Sequence, residues 1–532
     1  MRRTTTAILT AAPVFWAWSC TYSFDDSEVK AKPGPDASAG GGSGGTSTTG
    51  GAGGAVAGSG GAAGGGGAAG GTGATGATGG TGATGGTGAT GGTGAMGGTG
   101  ATGGTGATGG TGGAPPLDQS VTYFGDFDTD GAHQVGHTKW PGPTKQVLTP
   151  SGLGTNDVDD IAYSPDGTKL AIVGQSGAQT VLNLYAGDGS GSAQTLLAAS
   201  PASIQIIRVV FSPDGKWLAF AADLDLNDAF GAYVLPVAGG TPRRLTPLPT
   251  STAQGIDQIL WSPDSKYVAF IDDFVVDGAH ALTTVDVTNP NSTPVPIVAA
   301  SELLINEDVH PGAQFGPDGF IYFVSDWDQT DVEKLYKAKP DGTGRVEVVT
   351  GLTNNASAVE VGAFRFSPDG KRLAVSAESP FNGTFEVWVL TLDGSAVPSN
   401  RSNFAQAVAS VGPLMGASLW WSPDGKWLAA IADYPVTAGS LNDAFCAFVM
   451  PASGTPAMRR LWNNSSVATH DVFKLAFSND SKRLFAFGTM TSDLTSTLFS
   501  TTDFTTQDQP MASAEVEPLP ANGDIDGFAI RP

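Results

Sequence analysis

Seven times between residues 163 and 488 the chain writes one short phrase: YSPDGTKLAIVG, FSPDGKWLAFAA, WSPDSKYVAFID, FGPDGFIYFVSD, FSPDGKRLAVSA, WSPDGKWLAAIA and FSNDSKRLFAFG. The central aspartates are Asp166, Asp214, Asp264, Asp318, Asp369, Asp424 and Asp480, at spacings of 48, 50, 54, 51, 55 and 56 residues. A period near fifty residues is the length of one four-stranded propeller blade, and a repeat of that size decides the fold before any local reading does. The expected class is therefore all-β, a β-propeller of four-stranded blades.

The chemistry of Ser-Pro-Asp-Gly explains its place in the blade. Proline presets φ, aspartate bonds to nearby backbone, and glycine takes the left-handed conformation that closes a hairpin through a type I turn and a bulge. An apolar strand precedes each turn and an alternating strand such as KWLAFAA follows it. Ser265 and Ser481 stand where the other copies have Gly, at a cost of about 1 kcal/mol each if φ is positive there.

A longer period overlies the first. LNDAFGAYVLP at 226 returns as LNDAFCAFVMP at 441, in the second and sixth repeats, and the serine substitutions fall in the third and seventh. Both pairs lie four blades apart, so the fourth repeat needs a partner beyond the seventh. VTYFGDFDTDG at 121 matches it, followed by a strand near His137 and by KQVLTP at 145. These supply three strands of an eighth blade, whose missing first strand is then DGFAIRP at 526–532. Eight blades closed by the carboxy-terminal strand is the expectation, with seven as the alternative. Closure removes the free sheet edges that invite aggregation.

The remaining chain is of another kind. No charged residue occurs between Asp36 and Asp118, where Gly, Ala, Thr and Ser dominate, so residues 21–117 cannot bury enough apolar surface to offset their ordering entropy. Gly70 to Ala114 runs in Gly-X-Y triplets, but X is Gly or Ala and Y is almost always Thr, without the proline that pre-orders a collagen helix. The segment reads as a disordered tether, reaching roughly 50 Å for about 80 residues. Ahead of it, MRRTTTAILTAAPVFWAWSC puts Arg2 and Arg3 before an apolar run too short to span a bilayer, the pattern of a signal peptide over residues 1–20. The small residues before Cys20 resemble the lipobox of bacterial lipoproteins. That resemblance implies acylation of Cys20, with Thr21 favouring the outer membrane; ordinary secretion is the alternative. The domains are thus 1–20, 21–117 and the propeller at 118–532.

Charge narrows the partners. The chain has 27 Lys and Arg against 50 Asp and Glu, which disfavours nucleic acid and anionic lipid surfaces and leaves a lipid anchor as the only membrane contact. Cys446, in an alternating apolar stretch, reads as a small core residue.

The SPDGKxLAF repeat resembles the WD-like propeller repeat of TolB and its relatives over residues 118–532. The resemblance is specific for the propeller and poor for function. It implies an envelope protein that works by contacting other proteins, although a Gly-Thr tether here replaces the α/β domain of TolB. Eight blades are also similar to the propeller of the dipeptidyl peptidase family, whose hydrolase domain has no counterpart in this chain.

Catalytic motifs are sparse. GGSGG at 41–45 imitates a nucleophile elbow only inside the tether, there is no HExxH or paired CxxC, and histidines number five. An enzyme, hydrolase or lyase, with its site in the channel is the first rival reading, and a structural envelope component without a specific ligand is the second. The richer signal is acidic. Antiparallel strands put the SPDG turns on one face and the other loops on the opposite face. There Asp223, Asp225, Asp228, Asp272, Asp273, Asp326, Asp328, Asp331 and Asp433 follow second strands, while Asp160, Asp257, Asp308, Asp471 and Asp526 precede first strands near the channel mouth. Converging carboxylates favour a cation or a basic partner; plain solvation of loops is the bland alternative. In DFDTDG, Asp126, Asp128 and Asp130 occupy the first, third and fifth positions of a calcium loop with Gly131 at the sixth, but Gln134 and His137 stand where further ligands belong, so an acidic hairpin competes with calcium. His133 and His137 read as exposed loop histidines, with a transition-metal site as the alternative. No other cofactor is expected. The expectation is a monomeric, exported, lipid-anchored, non-enzymatic module that binds an envelope protein or a basic ligand.

Overall fold

A computed structural model of the chain describes residues 121–125, 134–138, 146–148, 158–199, 204–248, 255–273, 279–303, 308–330, 332–348, 350–353, 359–379, 385–402, 419–433, 445–461, 472–488, 497–505, 512–513 and 525–532. The signal segment with Cys20, the tether, and Asp126, Asp128, Asp130, Gly131 and His133 lie outside these residues, as do Asp331 and Asp471.

The described residues form eight four-stranded antiparallel sheets, seven of them with their strands in sequence order, so the chain is an eight-bladed propeller. Blades 1 to 7 begin on the inner strands Val158–Tyr163, Ile206–Phe211, Ile256–Trp261, Gln314–Phe315, Val361–Phe366, Leu419–Trp421 and Val472–Phe477. Blade 8 is shared between the two ends. Its inner strand is Ile525–Ile530, paired antiparallel to Val121–Gly125, which continues to Gln134–Thr138 and Gln146–Leu148. Val121 sits opposite Ile530 and Tyr123 opposite Phe528, so the closing strand is the one the fourfold repeat demanded.

The SPDG turns repeat one hydrogen-bond pattern. In blade 1, Ser164 Oγ donates to Asp166 Oδ1 at 2.6 Å and accepts from the Lys169 amide at 2.9 Å, while the Thr168 amide donates to Asp166 at 3.0 Å. The same serine–aspartate bracket recurs at 212/214, 262/264, 367/369, 422/424 and 478/480. Gly167, Gly215, Gly319, Gly370 and Gly425 are left-handed, and so are Ser265 and Ser481, at φ 58° and 60°. These serines do what glycine cannot: Ser265 Oγ accepts the Asp214 amide of the preceding blade at 3.0 Å, and Ser481 Oγ accepts the Asp424 amide at 2.9 Å.

Blades pack face to face through apolar side chains. Tyr163, Phe211, Trp261, Trp421 and Phe477, each just before a turn, enter the apolar clusters between blades as buried rings. Two of them also bond across a seam, Trp261 Nε1 to the Val210 carbonyl at 3.2 Å and Trp421 Nε1 to the Arg365 carbonyl at 3.0 Å. Where blade 4 pairs Phe323 with Tyr336, blade 8 pairs Tyr123 with Gly136, whose Cβ would fall 2.3 Å from the Tyr123 ring. The large ring has moved from the third strand to the second, and glycine opposite makes room. Cys446 is 4% exposed inside the core of blade 6, as its apolar setting predicts.

Candidate functional site

The channel wall is built from inner strands, five of which carry a polar side chain that bonds sideways to the next blade. Asp160 Oδ2 accepts the Val209 amide at 2.8 Å, Gln258 Oε1 accepts the Gly312 and Ala313 amides at 3.0 Å, and Gln314 Nε2 donates to the Phe364 carbonyl at 2.7 Å. Arg365 Nε donates to the Leu419 carbonyl at 3.2 Å and Lys474 Nζ to the Phe528 carbonyl at 2.6 Å. These bonds are possible because register shifts in five of the strands, at Val158/Asp160, Ile207/Val210, Ile256/Gln258, Val361/Ala363 and Val472/Lys474, re-aim side chains and release backbone groups.

On the loop face the expected carboxylates divide by burial. Asp160, Asp223, Asp272, Asp273 and Asp326 are at most 8% exposed. Asp223 accepts the amides of Gln205 at 2.6 Å and Asp228 at 3.0 Å; Asp273 accepts that of Gly255 at 2.6 Å; Asp326 accepts that of Asp308 at 2.9 Å. Burial pushes Asp223 and Asp273 above the usual carboxylate range, with these amide bonds pulling the other way. The lone pairs of these three groups hold loops in place. Asp160 and Asp257 also lie within inner strands rather than ahead of them. Asp433 and Asp526 are strand residues whose side chains are outside the described set.

The carboxylates nearer solvent meet cations and phenols. Asp225 accepts from the Tyr233 hydroxyl at 2.5 Å and pairs with Arg244; Asp328 accepts from the Tyr336 hydroxyl at 2.5 Å and from Lys334 Nζ at 3.2 Å. In both blades the tyrosine lies eight residues after the aspartate, a spacing that was available in the sequence. Asp228, exposed and left-handed at φ 65°, accepts from Asn227 Nδ2 at 2.7 Å.

His280 is the centre that sequence reasoning missed. Its Nδ1 bonds Asp257, its amide donates to Asp308 Oδ1 at 2.9 Å, and Asp273 adds a third negative charge nearby. The hydrogen bond from Asp257 is the main cause that pushes the imidazole up to about 9, against the opposing effect of burial, with the charges of Asp257, Asp308 and Asp273 adding to it. At neutral pH this is an imidazolium, a cation and proton donor with no free ring nitrogen to act as a base. A lone histidine in DGAHALT gives no signal by itself; only the loops of blades 3 and 4, brought side by side, put the carboxylates around it.

His137 departs from the exposed loop histidine expected. It is 6% exposed in the strand Gln134–Thr138, with Nδ1 2.9 Å from Thr122 Oγ1, which is in turn 2.5 Å from the Tyr163 hydroxyl of blade 1. Its neighbour on the calcium pattern, Gln134, opens that same strand. Among the described residues no group of three or more His, Cys, Asp or Glu side chains is arranged to hold a metal ion, and the calcium pattern at Asp126, Asp128 and Asp130 falls outside them.

No protein-family model matches the chain, and no curated protein sequence matches it. Among solved structures it is similar to prolyl endopeptidases at 13% identity and a TM-score of 0.43, over 70% of this chain and 54% of theirs. An oligogalacturonate lyase in complex with manganese matches at 15% identity and a TM-score of 0.41, over 76% of this chain and 98% of that one. TolB from Acinetobacter baumannii matches at 14% identity and a TM-score of 0.29, over 52% and 62%.

Proposed function

We propose that the chain is an exported, lipid-anchored propeller with TolB-like repeats that serves as a non-enzymatic binding module of the bacterial cell envelope. In this reading Cys20 is acylated, residues 21–117 are the tether, and the propeller at 118–532 is a monomer that presents its loop face to a protein or ligand bearing positive charge. The observation that carries it is the gathering of Asp257, Asp273 and Asp308 on one imidazole, beside the exposed Asp225, Asp228 and Asp328. Carboxylates in excess of their cationic partners on one face attract and orient a basic group. The SPDG turns on the opposite face are closer to balance, since Asp214 and Asp424 each pair with a lysine two residues on, at 3.0 and 2.9 Å. Calcium at Asp126, Asp128 and Asp130 is the one ion this reading admits.

The test is a pull-down from an envelope fraction, with and without calcium, using the full chain and a D257N/D308N variant. A partner lost in the variant and weakened by salt is the expected result. Turnover of a peptide, ester or glycoside that disappears in H280A would replace the binding module with an enzyme, and no partner under any condition would favour a purely structural component.

A further inference from the structure

The inner strand of blade 2, Ile206–Phe211, is held by two buried carboxylates from different blades. Asp223 of its own blade takes the Gln205 amide at 2.6 Å, just ahead of the strand, and Asp160 of blade 1 takes the Val209 amide at 2.8 Å in its middle. Between those two points Arg208 is left-handed at φ 56°, inside the irregularity between Ile207 and Val210, a conformation costing about 1 kcal/mol or more for a residue with a side chain. The distortion is what frees the Val209 amide from the ladder and turns it toward blade 1.

Asp160 meets that amide with one oxygen only. The residue is 1% exposed, and its Oδ1 has no hydrogen-bond partner. Gln258 does the corresponding work between blades 3 and 4 with both ends of its amide engaged, Oε1 accepting from Gly312 and Ala313 and Nε2 donating to the Ala313 carbonyl at 3.0 Å. A neutral group suits this position; a carboxylate there leaves Oδ1 without a well-formed hydrogen bond, which in a buried site is expensive.

We propose that Asp160 is a protonation-controlled latch in the channel wall, tight when its carboxyl is neutral and loosened, by entry of water to Oδ1 along the seam of blades 1 and 2, when it is ionised. Burial pushes this carboxyl up to about 7, while the Val209 and Ile161 amides and the charge of Lys474 pull it down and Asp159 pushes it up. The strands packed against Val158–Tyr163 bring few other charges: Lys169 in Lys169–Ser176, Arg208 in Ile206–Phe211 and Asp526 in Ile525–Ile530, with the phenol of Tyr123 in Val121–Gly125. Because the folded value lies above the ordinary 3.8, the native state binds the extra proton between 3.8 and about 7, so stability falls as pH rises through that window and levels off above it.

The experiment compares hydrogen exchange of the full chain at pH 5.5 and 8, corrected for intrinsic rates, across residues 206–211 and across the equivalent strand 256–261, together with thermal melts. Wild type should exchange several-fold faster at 206–211 at pH 8, with 256–261 unchanged. D160N, which keeps the acceptor for Val209, should abolish that difference and melt a few degrees higher than wild type at pH 8 and level with it at pH 5.5. D160A, which removes the acceptor, should exchange faster at both. Equal pH responses in wild type and D160N would overturn the latch, as would an Asp160 carboxyl titrating near 4 by NMR. The latch does not rest on the binding reading, since exchange is measured without a partner.

Discussion

Ser265 and Ser481 show how a residue that breaks a local rule is retained. The left-handed turn penalises any side chain by about 1 kcal/mol, and a hydrogen bond returns about the same. In each case that bond is made to the backbone of the preceding blade, at 3.0 and 2.9 Å. Two outcomes follow from the balance. S265A keeps the strain and loses the bond, so it should lower stability by about 1 kcal/mol, whereas S265G loses both and should be nearly neutral. Urea denaturation of the two variants beside wild type checks this; equal losses would mean that the cross-blade bond contributes nothing. The strain was legible in the sequence because the four letters of the Ser-Pro-Asp-Gly turn define where φ is positive. Its compensation was not, since Asp214 lies 51 residues away and only packing of blade on blade brings its amide to the hydroxyl.

At the scale of elements the closing blade decides whether the molecule holds together. Ile525–Ile530 is the inner strand of blade 8 and packs against Val158–Tyr163 as well as pairing with Val121–Gly125. Phe528 is 1% exposed, among Tyr123, Phe485 and Phe487. Deleting residues 525–532 leaves the Val121–Gly125 edge unpaired and the seam with blade 7 without its ring, so the truncated chain should lose a single cooperative unfolding transition and self-associate. Calorimetry and light scattering read this directly; a sharp, unshifted transition would show that closure through the termini is dispensable. The sequence located the blade through the fourfold repeat even though the blade carries no SPDG turn. It did not reveal the exchange of Phe323 and Tyr336 for Tyr123 and Gly136, because the compensating pair faces across two strands and is invisible along one.

For the whole molecule, pH acts through groups of opposite sign. Asp166 is held down to about 2 by its bonds to Ser164 and Thr168, so its contribution is present above 3.8 and lost as pH falls through about 2. His280, raised to about 9, contributes fully below 6.5 and loses that contribution as pH rises through 9. With Asp160 also favouring mild acid, thermal stability should peak above pH 3.8 and below 6.5. H280Q should flatten the decline between 6.5 and 9 in melts across that range; an unchanged alkaline limb would show that Asp257 does not hold the imidazole cationic. The sequence by itself determined the blade unit and pointed to the closing strand, because turn chemistry and strand alternation are local and were written repeatedly, while the choice of eight blades over seven came from the sheets themselves. Only the tertiary structure decided which aspartates face solvent, which hold backbone, and which gather on His280, because burial and charge depend on neighbours that separate strands and loops bring together, 23 and 28 residues away for Asp257 and Asp308 and 49 for Asp160 and Val209.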